Sequence, residues 1–106
     1  MIDEATLQQV VKRVVAKAQP SRIILFGSYG RGDADEGSDL DLMVVLPEAL
    51  DKYNEMIRLH KAVGSVGAGV DVLMYSEEEF QRRSQVPGNV LYWARNEGRQ
   101  LYDATD

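Results

Sequence analysis

Asp39-Leu40-Asp41 stands at the head of an apolar run that continues through Leu42, Met43, Val44, Val45 and Leu46. Read as a strand, the run turns Leu40, Leu42 and Val44 to one side and Asp39, Asp41, Met43 and Val45 to the other. The two carboxylates then project together, with Cα atoms about 6.6 Å apart. Two oxyanions that close are hard to keep ionised unless cations sit between them. The fold must therefore hold one end of a sheet open for divalent metal, and such an end points to chemistry on phosphates.

The flanking sequence supplies the rest of a small sheet and its cover. Leu7, Val10, Val11, Val14, Val15 and Ala18 recur at helical spacing over Ala5 to Ala18, with Asp3, or Thr6 followed by Gln9, as the cap. Pro20 closes that helix. Ile23, Ile24, Leu25 and Phe26 in succession predict a short strand over 21–27, buried on both faces. A glycine-rich loop leads to the strand 39–46. A second helix is expected from Pro47 to Val63, with Leu50, Tyr53, Ile57 and His60 inward, ending near Gly64 and Gly67. Residues 69–75 form a third strand, in which Asp71 interrupts an apolar alternation and needs a partner or a metal. Ser76 with Glu79 makes a capping box for a short helix to Arg83, which Pro87-Gly88 breaks. Asn89 to Glu97 is a last helical piece, with Trp93 in the core and Tyr92 outward, and Leu101-Tyr102 is a tail strand or packed coil. The order implies one domain over residues 1–106 of the α/β (α+β) class: helices packed on a mixed sheet of at least three strands.

Composition removes several classes. A chain of 106 residues builds one core. No apolar run approaches the roughly twenty residues of a membrane helix, and Met1-Ile2-Asp3-Glu4 lacks a signal-peptide pattern, so a cytoplasmic protein is expected. Zero cysteines and the single His60 exclude disulfides and make a zinc site improbable. A net charge of −5 opposes direct binding of long nucleic acid. A nucleotide carrying its own metals is compatible with it, because bound magnesium reverses the local field.

Asp39, Asp41 and Asp71 form the candidate metal and catalytic set. Adjacent strands lie about 4.8 Å apart, so the three could converge at one sheet edge. Carboxylate oxygens suit magnesium or manganese, and a pair of such ions can stabilise the attacking and leaving oxygens of a phosphoryl displacement. Asp71 would complete the ion on the nucleophile's side or accept its proton. An isolated Asp-x-Asp is as often a solvated turn, but the Gly27-Ser28 pair after the first strand counts against that reading. Free N–H groups of a short helical turn there would face an anion, and Ser28 can donate to it. Arg31 is a candidate for the triphosphate or a partner. The spacing of Gly27, Gly30 and Gly32 matches neither a dinucleotide fingerprint nor a P-loop.

Gly27-Ser28, ten intervening residues, then Asp39-Leu40-Asp41 resembles the signature of the nucleotidyltransferase fold of DNA polymerase β and aminoglycoside nucleotidyltransferases. The loop Gly-Ser-Tyr-Gly-Arg-Gly-Asp-Ala and the ending Val90-Leu91-Tyr92-Trp93-Ala94, Glu97-Gly98-Arg99, Leu101-Tyr102 resemble the minimal nucleotidyltransferase (MNT) branch over nearly the whole chain. That branch commonly pairs with a HEPN-domain ribonuclease. The resemblance implies an antitoxin of a type VII-like HEPN/MNT pair, a hetero-oligomer that uses ATP and two Mg ions to place AMP on a tyrosine of the toxin. It assigns Gly27 and Ser28 to the phosphates and Asp39, Asp41 and Asp71 to metal. The alternatives are an antitoxin acting by contact alone and a small-molecule nucleotidyltransferase. One departure is Gly30, where many relatives have alanine; a helical glycine there is expected to cost up to about 1 kcal/mol.

Overall fold

The computed structural model describes residues 1–48 and 51–104. Helix α1 (Glu4–Ala18) leads to β1 (Arg22–Phe26), a short α2 (Gly27–Arg31), β2 (Leu40–Leu46), α3 (Lys52–Val63), β3 (Val70–Ser76), α4 (Glu77–Arg83), α5 (Val90–Glu97) and β4 (Arg99–Asp103). The strands make one sheet in the order β3-β2-β1-β4. β1 pairs antiparallel with both β2 and β4, while β2 and β3 run parallel, joined across the sheet by α3. The tail therefore resolves as a strand, on the free edge of β1.

Period-two alternation divides the sheet into two covered faces. Ile23, Leu25, Leu40, Leu42 and Val44 pack with Leu7, Val10, Val11 and Val14 of α1 and Leu59 and Val63 of α3. Ile24, Met43 and Val45 pack with Phe80 of α4 and Leu91 and Ala94 of α5. Burial on both sides explains why β1 and β2 read as nearly continuous apolar runs.

Helix ends follow local chemistry. Asp3 accepts from the Thr6 N–H at 2.8 Å to start α1, and Gln19 closes it in the left-handed region at φ 47 before Pro20. Ser76 accepts from the Glu79 N–H at 3.1 Å, the expected capping box. Helix α3 departs from expectation. Its first helical residue is Lys52, with Asp51 as cap, and Leu50 lies outside the described residues. Tyr53 (77% exposed), Ile57 and His60 face outward, and the buried stripe is Leu59, Ala62 and Val63, with Met56 packed against it. Both stripes have helical spacing, but the second buries side chains with no hydroxyl or imidazole to satisfy.

One latch ties the start of β1 to the start of α4. Glu77 accepts from Ser21 Oγ at 2.8 Å and from Arg22 Nε and Nη2 at 2.9 and 3.0 Å, and the Arg22 guanidinium also lies 4.8 Å from the Phe80 ring centroid. Burial works against the Glu77 charge, yet hydrogen bonds from Arg22, Gln81 and Ser21 outweigh it and hold the carboxyl below its ordinary value. A depressed folded-state value gives stability that is complete above the unfolded pKa and lost as pH falls through the folded one. Glu77→Gln should thus cost roughly 1–2 kcal/mol at neutral pH. Melting curves across pH check it: the gap to wild type should close at acid pH, and a gap independent of pH would contradict the latch.

Candidate active site

The candidate residues meet where β1 ends and β2 and β3 begin. Parallel pairing sets Asp41 opposite Asp71, and antiparallel pairing sets Asp41 opposite Phe26, the residue before Gly27. The strand expected from Asp39 begins at Leu40, and alternation along it puts Asp41 on the side of Met43 and Val45, the face covered by α4 and α5, with Asp39 just before the strand. Leu40 donates its N–H to the Gly69 carbonyl at 2.8 Å, which brings the β3 lead-in against Asp39. Any side chain at Gly69 would run into the Asp39 carboxylate. Gly69 was not singled out by the sequence; its only signal is its place two residues before Asp71.

Gly27 turns the chain from β1 into α2 at φ +66, a conformation L side chains rarely adopt. A Cβ there would also strike the Asp41 carboxylate, so the turn's backbone and the acid lie in direct proximity. Ser28 is the next residue of α2. Arg31, at the last position of α2, is half exposed and sits 3.3 Å from Asp33 Oδ2. Its positive charge also reaches Asp41.

Burial, then the charges of Asp71 and Asp39, push the Asp41 carboxyl above its ordinary value; Asp71 also shares a hydrogen bond with it, and Arg31 pulls the other way. An acid held partly against ionisation by two other acids is a site short of positive charge. The donors are all carboxylate oxygens, which fits magnesium or manganese. Among the described residues, however, no group of three or more His, Asp or Glu side chains is already arranged to hold a metal ion. Asp41 leans to Asp71 while Asp39 lies over Gly69, so the acids form an open edge.

Two sequence expectations change here. Trp93 was expected in the core, but α5 buries Leu91 and Ala94, and Trp93 is 51% exposed while Tyr92 is intermediate. The helix meets the interior strands β1 and β2 through Leu91 and Ala94, and Trp93 lies outside that covered strip. Phe26, Trp93 and Glu97 line one cavity with Gly27 and Arg31, and composition offered no sign of that grouping. Gly30 was expected only to loosen α2. Instead a Cβ at Gly30 would collide with the Leu25 carbonyl, and the Cα of Gly98 stands 3.4 Å from where it would lie. Glycine there lets α2 and the end of α5 press on β1. The acidic loop residues Asp33, Asp35 and Glu36 are exposed, as expected, and Asp35 caps its own turn by accepting from the Gly37 N–H at 2.9 Å.

Known proteins share this arrangement of elements. The nucleotidyltransferase domain model matches residues 7–103. A Methanocaldococcus jannaschii protein named provisionally as a protein adenylyltransferase, MJ0604, is 32% identical over 106 residues, covering 96% of this chain and 100% of that one. Spectinomycin adenyltransferase AAD(9) from Enterococcus faecialis, solved with ATP and spectinomycin, superposes with a TM-score of 0.70 at 16% identity. That match spans 96% of this chain and 56% of the other. A toxin–antitoxin structure with AMP-PNP gives a TM-score of 0.60 at 24% identity, over 92% of this chain and 73% of that one. These two likenesses concern the fold. No helix among the described residues is long and apolar enough to cross a membrane.

Proposed function

The chain belongs to the nucleotidyltransferase domain family, and from that premise we propose that it is a protein adenylyltransferase and the antitoxin of a HEPN/MNT pair. It moves AMP from ATP to a tyrosine hydroxyl of a HEPN ribonuclease. The observation that carries the reading is the meeting of Gly27, Asp41 and Asp71 at one sheet end, with Asp39 beside them. The kinship with a chain named provisionally as a protein adenylyltransferase supports a protein acceptor, and the toxin–antitoxin fold neighbour supports a toxin.

Each residue has a role in this scheme. The Gly27-Ser28 turn receives the phosphates through main-chain N–H groups and the Ser28 hydroxyl, and glycine keeps the approach open. Arg31 adds positive charge beside them. Asp39, Asp41 and Asp71 are the residues that would hold magnesium, which would supply neutralisation of the negative charge that develops during phosphoryl transfer. The acceptor oxygen forms its bond to the α-phosphorus as the bond to the bridging oxygen breaks, and pyrophosphate leaves. Asp71 is exposed at the strand edge and takes the hydroxyl proton.

Co-expression of the chain with its neighbouring gene product tests the reading by intact-protein mass spectrometry. One or more AMP units on a tyrosine of the neighbour is the expected result. Neutralisation of the toxin with no added mass would instead establish an antitoxin acting by contact. Transfer onto an aminoglycoside in place of protein would assign the small-molecule activity.

A further inference from the structure

A nucleotide whose phosphates lie at Gly27-Ser28 must extend its sugar and base away from that turn, and one described cavity opens directly beside it. The cavity measures about 390 Å³ and is lined by Phe26, Gly27, Arg31, Trp93 and Glu97. That volume lies within the range of small-ligand sites. We propose that it holds the nucleoside half of the substrate, with the purine ring stacked on Trp93 and a ribose hydroxyl donating to the Glu97 carboxylate. The assignment rests on the nucleotidyltransferase reading above and adds the base-binding residue that it lacks.

Three observations meet in this cavity. First, Trp93 leaves half of a large aromatic surface uncovered, and Tyr92 meets it edge-on with centroids 5.2 Å apart at 84°. Such contact restrains the ring, so less freedom is lost when a base stacks on it. Second, Phe26 is the β-partner of Asp41 and precedes Gly27, so the aromatic lining adjoins the acids that face the phosphates. Third, the lining carries one charge of each sign: Arg31, which ends the helix that Gly27 begins, and Glu97, which follows Trp93 by four residues on the same side of α5. A carboxylate only accepts hydrogen bonds and repels phosphate, which suits ribose hydroxyls and keeps the triphosphate on the Gly27 side.

Trp93 is the single tryptophan, so its fluorescence reports on the cavity without any turnover. The whole chain would be titrated in magnesium with ATP and with tripolyphosphate, which has the phosphates but neither sugar nor base. Saturable quenching by ATP, and binding of tripolyphosphate without quenching, is expected. By calorimetry Trp93→Ala should weaken ATP about tenfold or more and leave tripolyphosphate unchanged, with Trp93→Phe restoring most of the loss. Glu97→Gln should narrow the preference for ATP over its 2′- and 3′-deoxy analogues. An unchanged ATP affinity in Trp93→Ala, equal quenching by the two ligands, or quenching only by an acceptor protein overturns the assignment while the nucleotidyltransferase reading stands. Failure of both ligands to bind removes the two together.

Discussion

Asn in place of Asp39 or of Asp41 should abolish AMP transfer while the protein stays folded. Loss of a residue that merely supports a metal ligand costs about 10–100-fold, so loss of a ligand should exceed a hundredfold in rate. Transfer measured with labelled ATP checks this, with Glu36→Gln in the exposed loop as the control that keeps activity. Wild-type transfer by either variant would remove the acids from the chemistry. Stability should move the opposite way. Asp41 is raised by burial and by Asp71 and Asp39, so the folded protein binds more protons than the unfolded chain above the ordinary carboxylate pKa. Metal-free stability then falls as pH rises from that value through the raised one. Asp41→Asn should melt at or above wild type at neutral pH and lose this dependence. An inactive variant that also melts well below wild type would mean that the carboxylate serves the fold.

The second large effect is on folding. On helix propensity alone, Gly30→Ala should stabilise α2 by up to about 1 kcal/mol. The packing reverses the sign, because the new methyl group meets the Leu25 carbonyl, a backbone atom in the central strand pair that cannot swing aside. Gly98→Ala is worse placed, against the Ala94 and Leu25 carbonyls and the Ile24 methyl. Each substitution should destabilise by about 3 kcal/mol, the upper end for overpacking, and lower Tm by roughly 10–20 °C. Thermal melts of the two single variants measure it. A Tm for Gly30→Ala above wild type would show that α2 can lift off β1 without cost, and the tight helix–strand seam would no longer explain the glycine.

The contrast between Asp41 and Gly30 marks what could be read from sequence. The acid pair, the Gly-Ser turn and Asp71 were legible because their signals are local. A strand's period of two places Asp39 and Asp41 on one side whatever surrounds them, and an acid inside an apolar alternation stands out wherever the strand lies. The strands, the capping box at Ser76 and the mixed α/β class follow from the same short-range rules. Which stripe of α3 faces inward was not legible, since Tyr53, Ile57 and His60 repeat as regularly as Met56, Leu59 and Val63. The sheet chose between them by which set buries without an unsatisfied polar group.

Distances between separate segments lie further beyond local pattern. The seat of Asp39 on Gly69, the seam where Gly30 and Gly98 press on Leu25, and the cavity joining Phe26 to Trp93 and Glu97 each unite residues far apart in the chain. Local spacing was enough to read a pair of carboxylates at the head of a strand, a Gly-Ser turn after another and helices with one apolar stripe. That β3 lies parallel beside β2 and that α5 packs over β1 emerged with the assembled fold. Strand pairing and helix packing are long-range choices made by total burial and hydrogen bonding, and no local spacing records them.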